Sequence, residues 1–177
     1  MKWILLGYRG CGKTTVGRLL AQSLQIPFYD VDEQNIARFA GQPIADIWKQ
    51  HGEPAYRAVE VQVTSELCQL QDAVLSLGGG TLMQAGARQA VESATDAKRF
   101  YLCGPAALLY QRIYADPASA HTRPALTPMG GGVEEIITVL AQRDPVYRAV
   151  ADHVIEIMDL SPFQIAEMIQ KLGGKQP

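Results

Sequence analysis

A three-layer α/β fold, with helices on both faces of a central five-stranded parallel sheet, is what this sequence predicts, and three observations carry the prediction. Short, near-continuously apolar runs recur along the chain. Longer stretches between them space apolar residues three and four apart. A glycine-rich turn joins the first run to the first such stretch. Strand alternating with helix implies crossover connections, and hence a parallel sheet covered on both sides.

The runs fall at 3–6, 26–29, 73–77, 100–103 and 153–157. Strands buried on both faces read in this way, without the polar alternation of a sheet that has one wet face. Val16, Leu19, Leu20 and Leu24 make one helical stripe; Val59, Val63, Leu67 and Leu70 make another. The segment 114–132 departs from the pattern, with Pro117, Pro124, Pro128 and the run Gly130-Gly131-Gly132. Connections of this length in compact domains are usually lids or disordered segments, and a flexible lid is the expectation here.

A chain of 177 residues, 47% hydrophobic and 19% charged, suits one domain over 1–177 with an adequate core. Its net charge of −2 gives no global reason to expect a nucleic acid or membrane partner. Three cysteines, Cys11, Cys68 and Cys103, form no CxxC pair, which suits a reduced compartment. The first apolar run holds only four residues, too few for a signal peptide core or a membrane span. A soluble, cytoplasmic protein is expected.

Gly7-Tyr8-Arg9-Gly10-Cys11-Gly12-Lys13-Thr14 matches the phosphate-binding pattern GxxxxGK[ST] between a strand and a helix. Its glycines let backbone N–H groups curl round an anion, and the helix start adds its positive end. In this pattern Lys13 reaches the β- and γ-phosphates of ATP, the Thr14 hydroxyl sits on Mg²⁺, and Thr15 meets the α-phosphate. Gly10, Cys11 and Gly12 line the same cradle. The architecture expected is therefore a three-layer P-loop NTPase fold with a lid.

A GTPase also needs a guanine reader and a metal switch. The single asparagine, Asn35, precedes Ile36, and no Asp has Gly three residues later, so that reading fails. Asp30 and Asp32 fall at the end of the second strand, two apart and so on one side, at the edge where open α/β sheets bind ligands. They are either a site pair or two solvated carboxylates. Gly78-Gly79-Gly80 follows the third strand at the same edge, where absent side chains favour close approach to a ligand over a plain turn. Arg57, Arg112, Arg123 and Arg143 recur near these edges. Single arginines are most often solvated, but Arg123 lies in the lid beside Pro124.

Taken together, these residues resemble shikimate kinase, within the nucleoside-monophosphate-kinase structural family. The match runs from Trp3 to about Val150. It rests on the phosphate loop, on Phe28-Tyr29-Asp30-Val31-Asp32, on Ile44-Ala45-Asp46-Ile47-Trp48 and on Gly52-Glu53-Pro54-Ala55-Tyr56-Arg57. It continues through Leu77-Gly78-Gly79-Gly80, Arg123-Pro124 and Arg143-Asp144-Pro145-Val146-Tyr147-Arg148. The loop wording and Tyr101-Leu102-Cys103-Gly104-Pro105 are most like the second bacterial isoform type.

The resemblance implies transfer of the ATP γ-phosphoryl group to the 3-hydroxyl of shikimate. It implies that Asp30 orders magnesium with Thr14, and that Asp32 binds ring hydroxyls, including the attacking one. Arg57 and Arg143 would grip the carboxylate, Gly79 and Gly80 would lend N–H groups, and the acceptor region would span about 32–60. Arg112 would flank the adenine, and Arg123 would reach ATP when the lid closes. Lys13, Asp32 and Arg123 would be the catalytic set, and a monomer is expected. Tyr56 stands where the family usually has Phe, a change expected to alter little. Cys11, inside the loop, is either a redox-sensitive thiol or a small tolerated residue. The competing readings are another small-molecule kinase, such as gluconate kinase, and a nonenzymatic ATP switch.

Overall fold

The computed structural model describes residues 1–115 and 132–174. The elements run β1 (Lys2–Leu6), α1 (Lys13–Leu24), β2 (Phe28–Asp30), α2 (Val31–Arg38), α3 (Ile44–His51) and α4 (Glu53–Leu67). They continue with β3 (Ala73–Ser76), a 3₁₀ turn (Thr81–Met83), α5 (Ala85–Ser93), β4 (Ala97–Cys103) and α6 (Ala106–Ala115). After the lid segment come α7 (Val133–Val150), β5 (His153–Glu156) and α8 (Pro162–Leu172). The strands form one parallel sheet in the order β2-β3-β1-β4-β5.

Side-chain alternation along buried strands divides the core into two layers. Trp3 and Leu5 of β1, Val74 of β3, and Phe100 and Leu102 of β4 pack on one side, with residues of α1, α6 and α8. Ile4 and Leu6, Ala73 and Leu75, and Tyr101 pack on the other, against α4, α5 and the end of α7. A third, smaller cluster gathers Ile44, Ile47 and Tyr56 with Phe39 and Trp48. It holds α2, α3 and α4 together as a separate lobe over one end of the sheet.

All five predicted strands are present, with shifted ends. Pro27 has no N–H, so β2 starts at Phe28, although the Pro27 carbonyl still accepts from Val74 N at 2.9 Å. The first three residues of β4, Ala97, Lys98 and Arg99, continue its pairing with β1. They carry no apolar signal because Arg99 turns back to the carbonyls of Val91, Glu92 and Ala94. Leu70 lies beyond the end of α4, so the second stripe is three residues long within the helix.

Among the described residues, no helix is long and apolar enough to cross a membrane. The predicted lid begins within α6, since Tyr114 and Ala115 complete that helix. At its other end the Gly132 N–H donates to Tyr114 Oη at 3.3 Å, bringing the two ends together. Arg123, Pro117, Pro124 and Pro128 lie outside the described residues.

Candidate active site

The carboxyl end of β1 opens into the phosphate loop, and its glycines are required by its shape. Gly10 has φ 83° and Gly12 has φ 94°, a left-handed region costly to residues with a Cβ. A Cβ on Gly10 would also lie 2.9 Å from Ile113 Cγ1. Gly12 is the N-cap of α1 and no side chain caps that end, so the first N–H groups of a twelve-residue helix point into the loop. Lys13 is buried, its ammonium donating to the carbonyls of Gly7 at 2.8 Å and Tyr8 at 3.1 Å. Cys11 Sγ lies 3.6 Å from the same ammonium, and its thiol is buried, which favours the small-residue reading over ready oxidation.

A cavity of about 400 Å³ runs from this loop to the ends of β2 and β3. Lys13, Thr14 and Thr15 line it, together with Asp30, Asp32 and Gly79. Arg112 of α6 and Pro162, the first residue of α8, line it as well. Pro162 was not foreseen; as a lone proline after a loop it carries only a helix-start signal.

The two aspartates are not alternate residues of one strand, as their spacing suggested. Asp30 ends β2 and caps α2, accepting from Asp32 N at 3.0 Å and Glu33 N at 3.5 Å. Asp32 therefore sits in the first turn of the helix. The short-range signal for capping, Asp before a helix, outweighs strand period here. The second Asp30 oxygen accepts from Thr14 Oγ1 at 2.8 Å. This pairing of a carboxylate with the loop hydroxyl is a hard-oxygen donor set suited to magnesium. Among the described residues no group of three or more His, Cys, Asp or Glu could hold a metal by itself, so phosphate oxygens and water would complete the shell.

Arg57, Gly79, Gly80 and Arg143 converge on the turn after β3. Arg57 pairs with Glu60 at 2.9 Å and Glu53 at 3.0 Å, and Gly80 packs directly on its guanidinium, where a Cβ would meet Nη1 at 2.9 Å. Arg143 Nη1 donates to the Gly79 carbonyl at 2.8 Å, and the Tyr147 hydroxyl donates to the same oxygen. The contact made in this structure is thus through the Gly79 carbonyl. Glu60 is fully buried and also accepts from Thr81 Oγ1 at 2.7 Å. Burial pushes its carboxyl upward, while the charge of Arg57 and the Thr81 hydroxyl pull it down.

Three further residues escaped sequence reading. Arg9 pairs with the fully buried Glu135 of α7 at 3.1 Å. Tyr8 is buried under the guanidinium groups of Arg9 and Arg143, and burial raises its phenol above the usual range. Tyr56 donates to Asp32 Oδ1 at 3.0 Å, a contact that a Phe at this position could not make. The pairings of Arg9 with Glu135, Tyr8 with Arg143 and Tyr56 with Asp32 join residues far apart in the chain, and no local pattern announces them.

A phosphate loop and a pair of carboxylates lining one cleft, with arginines at the adjoining turn after β3, is the layout of a small-molecule phosphotransferase of the phosphate-loop class. The shikimate kinase family model matches residues 9–172. The chain is 39% identical over 170 residues to the shikimate kinase of Oleidesulfovibrio alaskensis, covering 96% of each chain. It is 36% identical over 168 residues to shikimate kinase 2 of Photorhabdus laumondii, covering 95% of this chain and 92% of that one. Shikimate kinase from Acinetobacter baumannii, solved in complex with shikimate, superposes with a TM-score of 0.87 at 34% identity, over 97% of this chain and 91% of that one. The chain belongs to the shikimate kinase family.

Proposed function

We propose that this protein transfers the γ-phosphoryl group of ATP to the 3-hydroxyl of shikimate, giving shikimate 3-phosphate and ADP. The observation that carries the reading is the turn at 78–80. There Arg57 lies against Gly80 and Arg143 donates to the Gly79 carbonyl, and Gly79 lines the same cavity as Asp32 and the phosphate-loop residue Lys13. Planar guanidinium groups take a carboxylate through paired hydrogen bonds and fix its orientation. A small anionic polyol matches that wall.

Lys13 leaves its loop carbonyls to meet the β- and γ-phosphates, while the open N–H groups at the start of α1 hold the rest of the chain of phosphates. Arg112 and Pro162 flank the adenine. Thr14 and Asp30 would hold a magnesium ion, which would neutralise phosphate charge. Asp32 orients the acceptor hydroxyl and takes its proton as the new P–O bond forms and the bond to ADP breaks. Arg123 is assigned to the γ-phosphoryl group from the lid. Because the transition state is loose, position and charge count for more than base strength. Residues 1–177 act as one domain and as a monomer.

ADP release measured with shikimate, gluconate, AMP or no acceptor tests the reading. Shikimate alone is expected to raise the rate; a shikimate rate equal to the no-acceptor rate would sink it. Asp32→Asn is expected to keep ATP binding and lose turnover by about 100-fold, and unchanged kcat would remove Asp32 from its role.

A further inference from the structure

Asp32 meets a donor that comes from another helix. The Tyr56 hydroxyl, on α4, reaches across the acceptor-side lobe to Asp32 Oδ1 on α2. The Tyr56 ring packs near Phe39 and Trp48, with centroids 6.4 Å and 6.3 Å away, and is 2% exposed. A phenylalanine would supply all of that packing. Only the hydroxyl is additional, and it is spent on one carboxylate oxygen.

A second observation points the same way. Asn35, three residues after Asp32 on the same helix, is fully buried, and neither of its amide atoms has a hydrogen-bond partner. Its side chain does interact with the Tyr56 hydroxyl, short of full hydrogen-bond geometry. A buried, unsatisfied amide is costly, and an apolar residue of the same shape would be more stable there. Burial, reinforced by the negative charge of Asp32, keeps the Tyr56 phenol well above its usual range, so it stays a donor at any physiological pH.

We infer that Tyr56, backed by Asn35, is a positioning residue for Asp32: its hydroxyl fixes the plane of the carboxylate that meets the acceptor's attacking hydroxyl. The site then has two kinds of support for Asp32. Gly78 leaves just enough room at Oδ1, since a Cβ there would sit 2.7 Å from it. To the same oxygen Tyr56 supplies a directional bond. A carboxylate held by packing alone can rotate about its last torsion; one held by a donor cannot do so without breaking that bond. This inference rests on the proposed role of Asp32 in the transfer to shikimate.

The test is steady-state kinetics with shikimate and ATP on Tyr56→Phe, Asp32→Asn and the double variant, with melting temperatures alongside. Tyr56→Phe is expected to lower kcat about 10-fold, the scale of a lost hydrogen bond to a charged group. Its KM for ATP should stay unchanged. In the Asp32→Asn background the same change should cost nothing further. Wild-type kcat in Tyr56→Phe overturns the inference, and so does an equal loss in both backgrounds, while leaving the reading of Asp32 intact. Full turnover by Asp32→Asn brings down both. Asn35→Leu is expected to raise the melting temperature yet lower kcat; a more stable enzyme with unchanged kcat strikes Asn35 from the device.

Discussion

Glu60 lies fully buried between the guanidinium of Arg57 and the hydroxyl of Thr81, and Gly78 packs against it and Asp32 at once. A methyl group on Gly78 would lie 2.7 Å from Asp32 Oδ1, 2.9 Å from Glu60 Oε1 and 2.9 Å from Thr81 Oγ1. Three polar groups of the acceptor wall would have to move together. Gly78→Ala is therefore expected to lower kcat/KM for shikimate by about 100-fold, the scale of a 1 Å misplacement. ATP binding, measured by titration, should be spared; near-normal shikimate kinetics would mean the wall yields more easily than its contacts imply. At this scale legibility was uneven. Lys13 and Thr14 stood out because their chemistry follows a local pattern. Glu60, Tyr56 and Arg9 did not, because each acts through a partner that only the fold brings near: Thr81, Asp32 and Glu135 respectively.

Helix boundaries carry part of the site, and the start of α8 shows how. Ser161 Oγ accepts from Gln164 N at 3.3 Å, and Gln164 Oε1 accepts from Ser161 N at 2.8 Å, a reciprocal cap that satisfies two donors. The next residue, Pro162, lines the cavity at the phosphate loop, as does Arg112. Ser161→Ala is expected to cost about 1 kcal/mol in urea unfolding and to weaken ATP binding by more than shikimate binding. An unchanged unfolding midpoint would remove the cap from this account. Elements were legible where a single period dominates, as in β1 and α1. The beginning of β4 was hidden because its polar residues serve helix ends instead of the core, Arg99 that of α5 and Lys98 that of α8. The step from β2 straight into α2 was hidden because Asp30 closes a strand and caps a helix in the same residue.

Across the whole molecule, β1 directs Trp3 and Leu5 to one layer and Ile4 and Leu6 to the other, so the sheet separates two cores. Ile4→Val, on one side, and Ile169→Val, on α8 at the other, should each cost about 0.5–1.5 kcal/mol. Their effects should add within about 0.5 kcal/mol; a larger coupling would mean the layers relax as one. The apolar runs made this architecture readable, while α2 and α3 showed no period of their own because the buried side chains of their lobe, Ile44, Ile47 and Tyr56, are too sparse for one. The glycines at 78 and 80 leave a last signature. A saturation scan of the chain should print the two kinds of interior in opposite ink. At Ile4 or Leu75 fitness should fall as substituents shrink, whereas at Gly78 and Gly80 it should fall with the first carbon added. Catalytic sites in such maps are usually sought among residues that cannot be lost; here a contour of the pocket would be drawn by positions that cannot be filled.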